Sequence, residues 1–354
     1  MNERLRTILK AAIQAPSGDN CQPWTFHVQD NVVDLYNRPE RDTSLYNVDQ
    51  SASLVAHGAL LENLQIAAVA QGLRAQFTTF PDPAQENLVA RVTLAAGKAE
   101  NEPLNAAIAR RATNRRSYRG TPLAAVEQQA LQRAIDAVTG TRLHLAGERS
   151  KIATVAKIIR LNDRLVFSNR YLHAFLFDHV RWNEREAVAT RDGLDLKTLE
   201  LNLFDRVGFR LLRNWPLIEK LGKVGVAAIA SQSAQKLAKS ASDIGLVTAP
   251  GETSEDLLRC GRAMQRVWLE ATRLGLGFQL MTGITFLMMR VRRGATAELA
   301  AWQVEAITAA EQELRGVFRL ATEVPVILFR VGHCAEPSAR SLRLPLEQVV
   351  QGSD

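Results

Sequence analysis

Two stretches of this 354-residue chain repeat one another at a single offset. Gly58, Ala68, Gly72, Leu73 and Gln76 fall opposite Gly261, Ala271, Gly275, Leu276 and Gln279, with apolar Leu64 and Ile66 opposite Val267 and Leu269. Each copy reads as an apolar helix that stops at Gly-Leu-x-x-Gln, and glycine suits that stop because it adopts the positive φ that closes a helix. After insertions of different length, each copy leads into a strand-like run. One is Leu88-Val-Ala-Arg-Val-Thr-Leu94, the other Val324-Pro-Val-Ile-Leu-Phe-Arg-Val331. An internal repeat implies two related units, in a chain already longer than a usual single core.

The densest local signal is Ala15-Pro-Ser-Gly-Asp-Asn-Cys-Gln-Pro-Trp24. A helical run ends near Gln14, and Pro16, Ser17 and Gly18 then force an irregular backbone whose N–H groups need partners. Trp24-Thr-Phe-His-Val28 alternates as a half-buried strand does. Asn20 and Gln22 each carry one acceptor and two donors, which suits a planar ligand with polar edges; an ordinary helix-to-strand turn fits the same residues. Arginine is also concentrated. Arg110, Arg111, Arg115, Arg116 and Arg119 fall close together and Arg340 and Arg343 lie near the end, in a chain whose 44 basic and 37 acidic residues leave a net charge of +7. Guanidinium groups bind phosphate through paired hydrogen bonds and stay charged when partly buried. A solvated helix end or a nonspecific nucleic-acid patch would use the same residues. No aromatic interleaving or groove-reading motif accompanies the charge, so no nucleic-acid partner is expected.

These motifs resemble those of the FMN-dependent nitroreductase family. Ala15, Pro16, Ser17, Asn20, Gln22, Pro23 and Trp24 match its APSxxNxQPW loop, which lies against the flavin ring. Arg110 to Tyr118, followed by Pro122-Leu123, is similar to the segment that grips the FMN phosphate and ribitol, and Ala339 to Leu346 to the closing basic segment. In an ordinary member the arginine segment precedes the loop, whereas here it follows. The order is similar to that of the Acg branch, where two repeats are fused. The resemblance implies an α+β fold of two nitroreductase-like repeats, each a mixed, mostly antiparallel sheet flanked by helices, packed as a pseudo-dimer. Residues 1–103 would form the first repeat, which carries the loop. Residues 104–354 would form the second, which carries the arginine segment and a lid insertion at about 183–254.

One complete FMN site is then expected. The resemblance places Pro16, Ser17, Gly18, Asn20 and Gln22 against the isoalloxazine, and Arg111, Thr113, Arg115, Arg340 and Arg343 at the ribityl phosphate. Met281, Thr282 and Gly283 fall where relatives bring backbone N–H groups toward flavin N5. Ala112 departs from the pattern, since many relatives have a basic residue there. The implied activity is transfer from NAD(P)H through FMN to a small acceptor such as a nitroaromatic or quinone. An FMN-sequestering protein with a closed lid is the alternative, and a flavin-independent relic a third.

The rest of the sequence adds mainly exclusions. It has no run of eighteen apolar residues and no apolar signal core behind Met1-Asn-Glu-Arg-Leu-Arg, so a soluble, cytoplasmic, monomeric protein without a membrane partner is expected. Cys21, Cys260 and Cys334 are odd in number and lack CxxC spacing, which suggests reduced thiols. The histidines show no metal-binding spacing, no GxGxxG segment occurs, and no residue stands out as a general acid or base. Phe204, Val207, Leu211, Leu212 and Trp215 recur at helical spacing and fit a lid, a packing helix or a membrane-surface helix. Trp182, Trp215 and Trp268 are candidates to wall the cleft.

Overall fold

The computed structural model describes residues 1–99, 101–222 and 232–351. The part of the expected lid at 223–231 lies outside the described residues. The fold is α+β. The first sheet takes β1 (Trp24–Gln29), β2 (Val32–Asn37), β3 (Leu73–Thr79) and β4 (Leu88–Ala96) from the N-terminal third of the chain. The second takes β5 (Arg142–Ala146), β8 (Asp243–Ala249), β9 (Gly277–Leu280) and β10 (Val324–Gly332). Two short strands, β6 (Val180–Arg181) and β7 (Leu194–Asp195), pair with each other, and β11 (Val350–Gln351) is the last strand described.

Strand order is β11-β1-β2-β4-β3 in the first sheet and β5-β8-β10-β9 in the second. The pairs are antiparallel except where β11 joins β1, with Phe26 opposite Val350. The C-terminus therefore returns to complete the N-terminal sheet, carrying the 340–346 segment back past the 15–24 loop.

Between the sheets lie two long helices, Ser51–Ala70 and Ser254–Arg273. The first is apolar on all sides, the pattern of a helix that is buried all round. It is long and apolar enough to cross a membrane by composition alone, yet 89% of the relevant window is buried within the protein. Each helix ends as its sequence requires, at Gly72 with φ 72° and at Gly275 with φ 73°. The largest apolar core draws on both halves, from Leu5 to Leu94 and from Leu257 to Val331.

The two helices cross at the paired glycines. A Cβ on Gly58 would lie 2.1 Å from the Leu258 carbonyl oxygen, and one on Gly261 would lie 2.0 Å from that of Val55. Polar contacts repeat the exchange beside them. Buried Glu62 accepts from Arg262 Nε at 2.9 Å and Arg266 Nη1 at 2.6 Å, and Asn63 Oδ1 accepts from Gln265 Nε2 at 2.7 Å. At the repeat offset, Glu62 and Asn63 correspond to Gln265 and Arg266, so each residue meets the counterpart of its neighbour. That is the self-complementary pattern of a two-fold interface.

Gly261→Ala forces a methyl against backbone and is expected to lower unfolding free energy by about 3 kcal/mol or more. Gly208 lies mid-helix with nothing near its would-be Cβ. Gly208→Ala is expected to be neutral or to stabilise by up to about 1 kcal/mol. Urea denaturation of the two variants checks the contrast.

Candidate functional site

A cleft of about 1050 Å³ opens between the two halves, floored by Trp268 of the Ser254–Arg273 helix. Among the residues singled out from the sequence, Pro16, Ser17, Gly18, Asn20, Arg111, Thr113, Arg115, Met281, Thr282, Gly283, Arg340 and Arg343 line it. Segments far apart in the chain thus meet at one place.

The 15–24 loop is held in a strained shape. Asp19, Asn20 and Gln22 have φ of 41°, 60° and 52°, a region that side chains other than glycine rarely adopt. Ser17 Oγ accepts from the Gln22 amide at 2.9 Å and closes the turn. Gln22 does not line the cleft. It is fully buried behind the wall, where its Nε2 donates to the Arg191 carbonyl at 2.9 Å and its Oε1 accepts from the Leu344 amide at 2.8 Å. Its amide edges are spent joining the loop to the C-terminal segment and the insertion, which leaves none for a ligand. Asn20 reaches the cleft, but its Nδ2 donates to the Leu342 carbonyl at 3.1 Å and its Oδ1 accepts from Arg343 Nη1 at 2.9 Å. It positions Arg343.

One end of the cleft is cationic. Arg111 is buried, stacks 4.3 Å over the Trp268 ring and donates to the Gln14 carbonyl at 3.1 Å. Arg343 donates to the same carbonyl at 3.3 Å, so the two guanidiniums lie side by side. Burial, with Arg343 and Arg340 nearby, holds the Arg111 pKa well below its usual value, and burial lowers that of Arg343 to about 10. Neither is paired with a carboxylate among the described residues, and the Nε atoms of both lack a partner. Arg340 donates to the Ala109 carbonyl at 3.0 Å, and its carboxylate contact, to exposed Glu336, is distant at 3.7 Å. Buried like charges without a counterion are costly. A phosphate monoester would supply the missing charge and acceptors, so these residues fit the anionic end of a phosphorylated cofactor.

A fully buried arginine beneath the site fixes the arginine segment. Arg330 on β10 donates to the carbonyls of Asn114 (3.2 Å) and Arg116 (2.8 Å), and also to Leu237 O, Ser240 Oγ and Gln279 Oε1, while stacking 3.9 Å from the Tyr118 ring. Gln279 is the last residue of the repeat signature. The helix Gly283–Arg292 starts at the cleft without a side-chain cap, so its first N–H groups are unclaimed there by side chains. Two glycines have local explanations. A Cβ on Gly283 would lie 2.5 Å from Asn162 Oδ1, and one on Gly18 would lie 3.2 Å from Asp42 Oδ2.

The cleft is also lined by acidic residues, which the sequence did not suggest. Asp19, Asp42 and Asp163 line it together with Tyr46. Burial pushes the Asp163 pKa up to about 6 and raises those of Asp19 and Asp42. Asp42 is the better anchored, accepting from the Ser44 amide at 3.1 Å. Cys21, though inside the loop, is buried with its thiol pKa raised, which suits packing and not thiolate chemistry.

Residues 108–333, more than half of the chain, match the model of the nitroreductase family. The chain belongs to the nitroreductase family. An uncharacterized protein of Mycobacterium tuberculosis (strain CDC 1551 / Oshkosh) is 30% identical over 347 residues, covering 95% of this chain and 46% of that protein. The chain thus spans about half the length of that relative. A second protein of the same strain, named as an NAD(P)H nitroreductase, acg, is 26% identical over 289 residues, covering 79% of this chain and 80% of it. Among solved structures, the FMN-dependent nitroreductase NfnB from Mycobacterium smegmatis in complex with NADPH aligns at TM-score 0.39 and 12% identity, over 71% of this chain and 98% of that one.

Within this nitroreductase-family chain the region expected as an insertion forms one rim of the cleft. Leu199, Leu201, Phe204, Phe209 and Leu212 contribute to the lining, whereas Trp182 and Trp215 pack behind it, against Phe177 and His173. The helical spacing of Phe204, Val207, Leu211, Leu212 and Trp215 left a lid, a packing helix and a membrane-surface helix open. The helix Leu203–Leu211 turns Phe209 toward Phe177 and Trp182 and leaves Phe204, Val207 and Leu211 exposed. The insertion is tied down: Arg191 Nε donates to the Arg343 carbonyl at 2.7 Å, Arg41 pairs with Asp192 at 3.1 Å, and Arg115 Nη1 donates to the Thr198 carbonyl at 3.1 Å.

Because folding raises the Asp163 pKa, the folded chain holds that proton more tightly than the unfolded one. Stability is then lost as pH rises from the unfolded value of about 3.9 to about 6, and the loss is complete above that range. Asp163→Asn is expected to stabilise by about 1 to 2 kcal/mol near pH 7.5 and to lose that advantage near about pH 4. Denaturation at the two pH values measures the difference.

Proposed function

We propose that this chain is an FMN-dependent oxidoreductase that passes electrons from NAD(P)H to a small planar acceptor such as a nitroaromatic or quinone, in one cleft built by two fused nitroreductase-like repeats. The observation that carries the reading is the pair of arginines, buried Arg111 and partly buried Arg343, side by side at the cleft with no carboxylate partner among the described residues. FMN is the cofactor whose phosphate answers that charge and whose ring suits the remaining volume. When bound, the flavin supplies the two-electron redox chemistry.

The chain's own residues do the holding. Arg111, Arg340 and Arg343 bind the phosphate, with Thr113 and Arg115 beside the ribityl chain. Pro16, Ser17 and Gly18 set the loop against the ring, while Gln22 and Asn20 act through Leu344 and Arg343. The uncapped start of the Gly283–Arg292 helix offers N–H groups, and Met281 and Trp268 shield the cleft from water. Asp163, with a pKa near 6, holds a proton within the cleft at mildly acidic pH and exchanges it near pH 6, where acceptor reduction consumes protons.

Fluorescence titration tests the site. Arg111→Ala or Arg343→Ala is expected to weaken FMN binding by roughly tenfold or more, since each removes charge-assisted hydrogen bonds. A loss below roughly twofold in both would mean the phosphate lies elsewhere.

The tethers of the insertion favour a second reading, storage of FMN beneath a closed cover. Arg191→Ala removes the Arg191 to Arg343 bond and discriminates the two. Under storage, NADPH-dependent reduction should start or accelerate in the variant; under the reductase reading the rate should stay within about twofold.

A further inference from the structure

The helix Leu203–Leu211 carries apolar side chains on two faces, and only one of them is covered. Phe209 and Leu212 pack inward. On the other face Leu203, Phe204, Val207 and Leu211 are 78%, 91%, 61% and 60% exposed. At about 100° per residue, these four fall within roughly 100° of arc. Half of the large apolar side chains that the described surface exposes lie between Leu203 and Leu217. Scattered exposed leucines mean little, but a contiguous set on one helix face marks a surface that meets something.

Charge identifies the partner. Arg210 borders the apolar arc, with Arg206 beyond it, and Arg213, Lys220, Lys236 and Lys239 lie on the same insertion against only Asp205 and Glu219 in the helices 203–222 and 232–239. A two-fold contact between copies would set this patch on itself and oppose like charges. An apolar strip flanked by long basic side chains instead suits an anionic lipid surface, where the apolar residues enter the acyl boundary and arginines reach the headgroups.

We infer that the Leu203–Leu211 helix docks this protein on anionic membrane surfaces, with the cleft mouth turned toward the lipid. Phe204 and Gly208 border the cleft on one side and the exposed strip on the other, so docking brings the mouth of the cleft to the bilayer. This revises the expectation of no membrane partner. The docking itself does not depend on the redox reading; that acceptors reach the cleft from the lipid does rest on it.

Co-sedimentation with vesicles of equal parts phosphatidylglycerol and phosphatidylcholine, against pure phosphatidylcholine, tests the docking. The full chain should bind the anionic vesicles roughly tenfold more strongly, and high salt should weaken that binding. The double variant Val207→Asp with Leu211→Asp changes exposed positions outside the cleft and should lose roughly tenfold in vesicle binding while still taking up FMN. Equal binding to both vesicle types, or unchanged binding by the double variant, would overturn the inference. So would light scattering that shows the double variant dissolving a dimer with no change in vesicle binding. Failure of FMN uptake by the unaltered chain would count against the redox reading alone.

Discussion

The close crossing of Gly58 and Gly261 is the contact on which the rest of this structure depends. Each glycine lets the other helix's backbone approach to a distance that any side chain would forbid. With the helices so close, Glu62 can reach Arg262 and Arg266, and Asn63 can reach Gln265. The crossing fixes the two halves face to face, and the cleft is what remains between them. Trp268, seven residues beyond Gly261 on the same helix, forms its floor and stacks under Arg111.

The cleft holds charge of both signs. Arginines without a carboxylate partner among the described residues and carboxyls with raised proton affinity line one volume, and both pay a desolvation cost that it imposes. Such sites are where a charged ligand and a proton donor are most useful. The buried Arg330 below them serves the scaffold: its N–H groups go to neutral acceptors, and by gripping the Asn114 and Arg116 carbonyls it fixes the segment on which Arg111 and Arg115 stand.

Much of this was legible in the sequence, for physical reasons that differ by residue. The repeat showed because Gly72 and Gly275 must take positive φ and Gly58 and Gly261 must have no Cβ, constraints that leave few substitutes. The gathering of the loop, the arginine segment and the C-terminal arginines came from the family resemblance. Gln22 misled because an amide in a loop looks the same whether it faces a ligand or ties three segments together from behind. The acidic wall was hidden because Asp19, Asp42 and Asp163 are far apart in sequence and unremarkable singly; only burial in one cleft raises their pKa values. The helix at 203–211 left three readings open because spacing counts apolar residues without saying which are covered.

The central claim is that the Arg111 and Arg343 cleft holds a flavin that nicotinamide can reach. The most direct measurement is the visible spectrum of the purified protein, reconstituted with FMN, before and after anaerobic addition of NADPH or NADH. The account predicts a yellow protein that bleaches with the nicotinamide. A protein that binds no FMN, or a yellow one that bleaches only with dithionite, would contradict it.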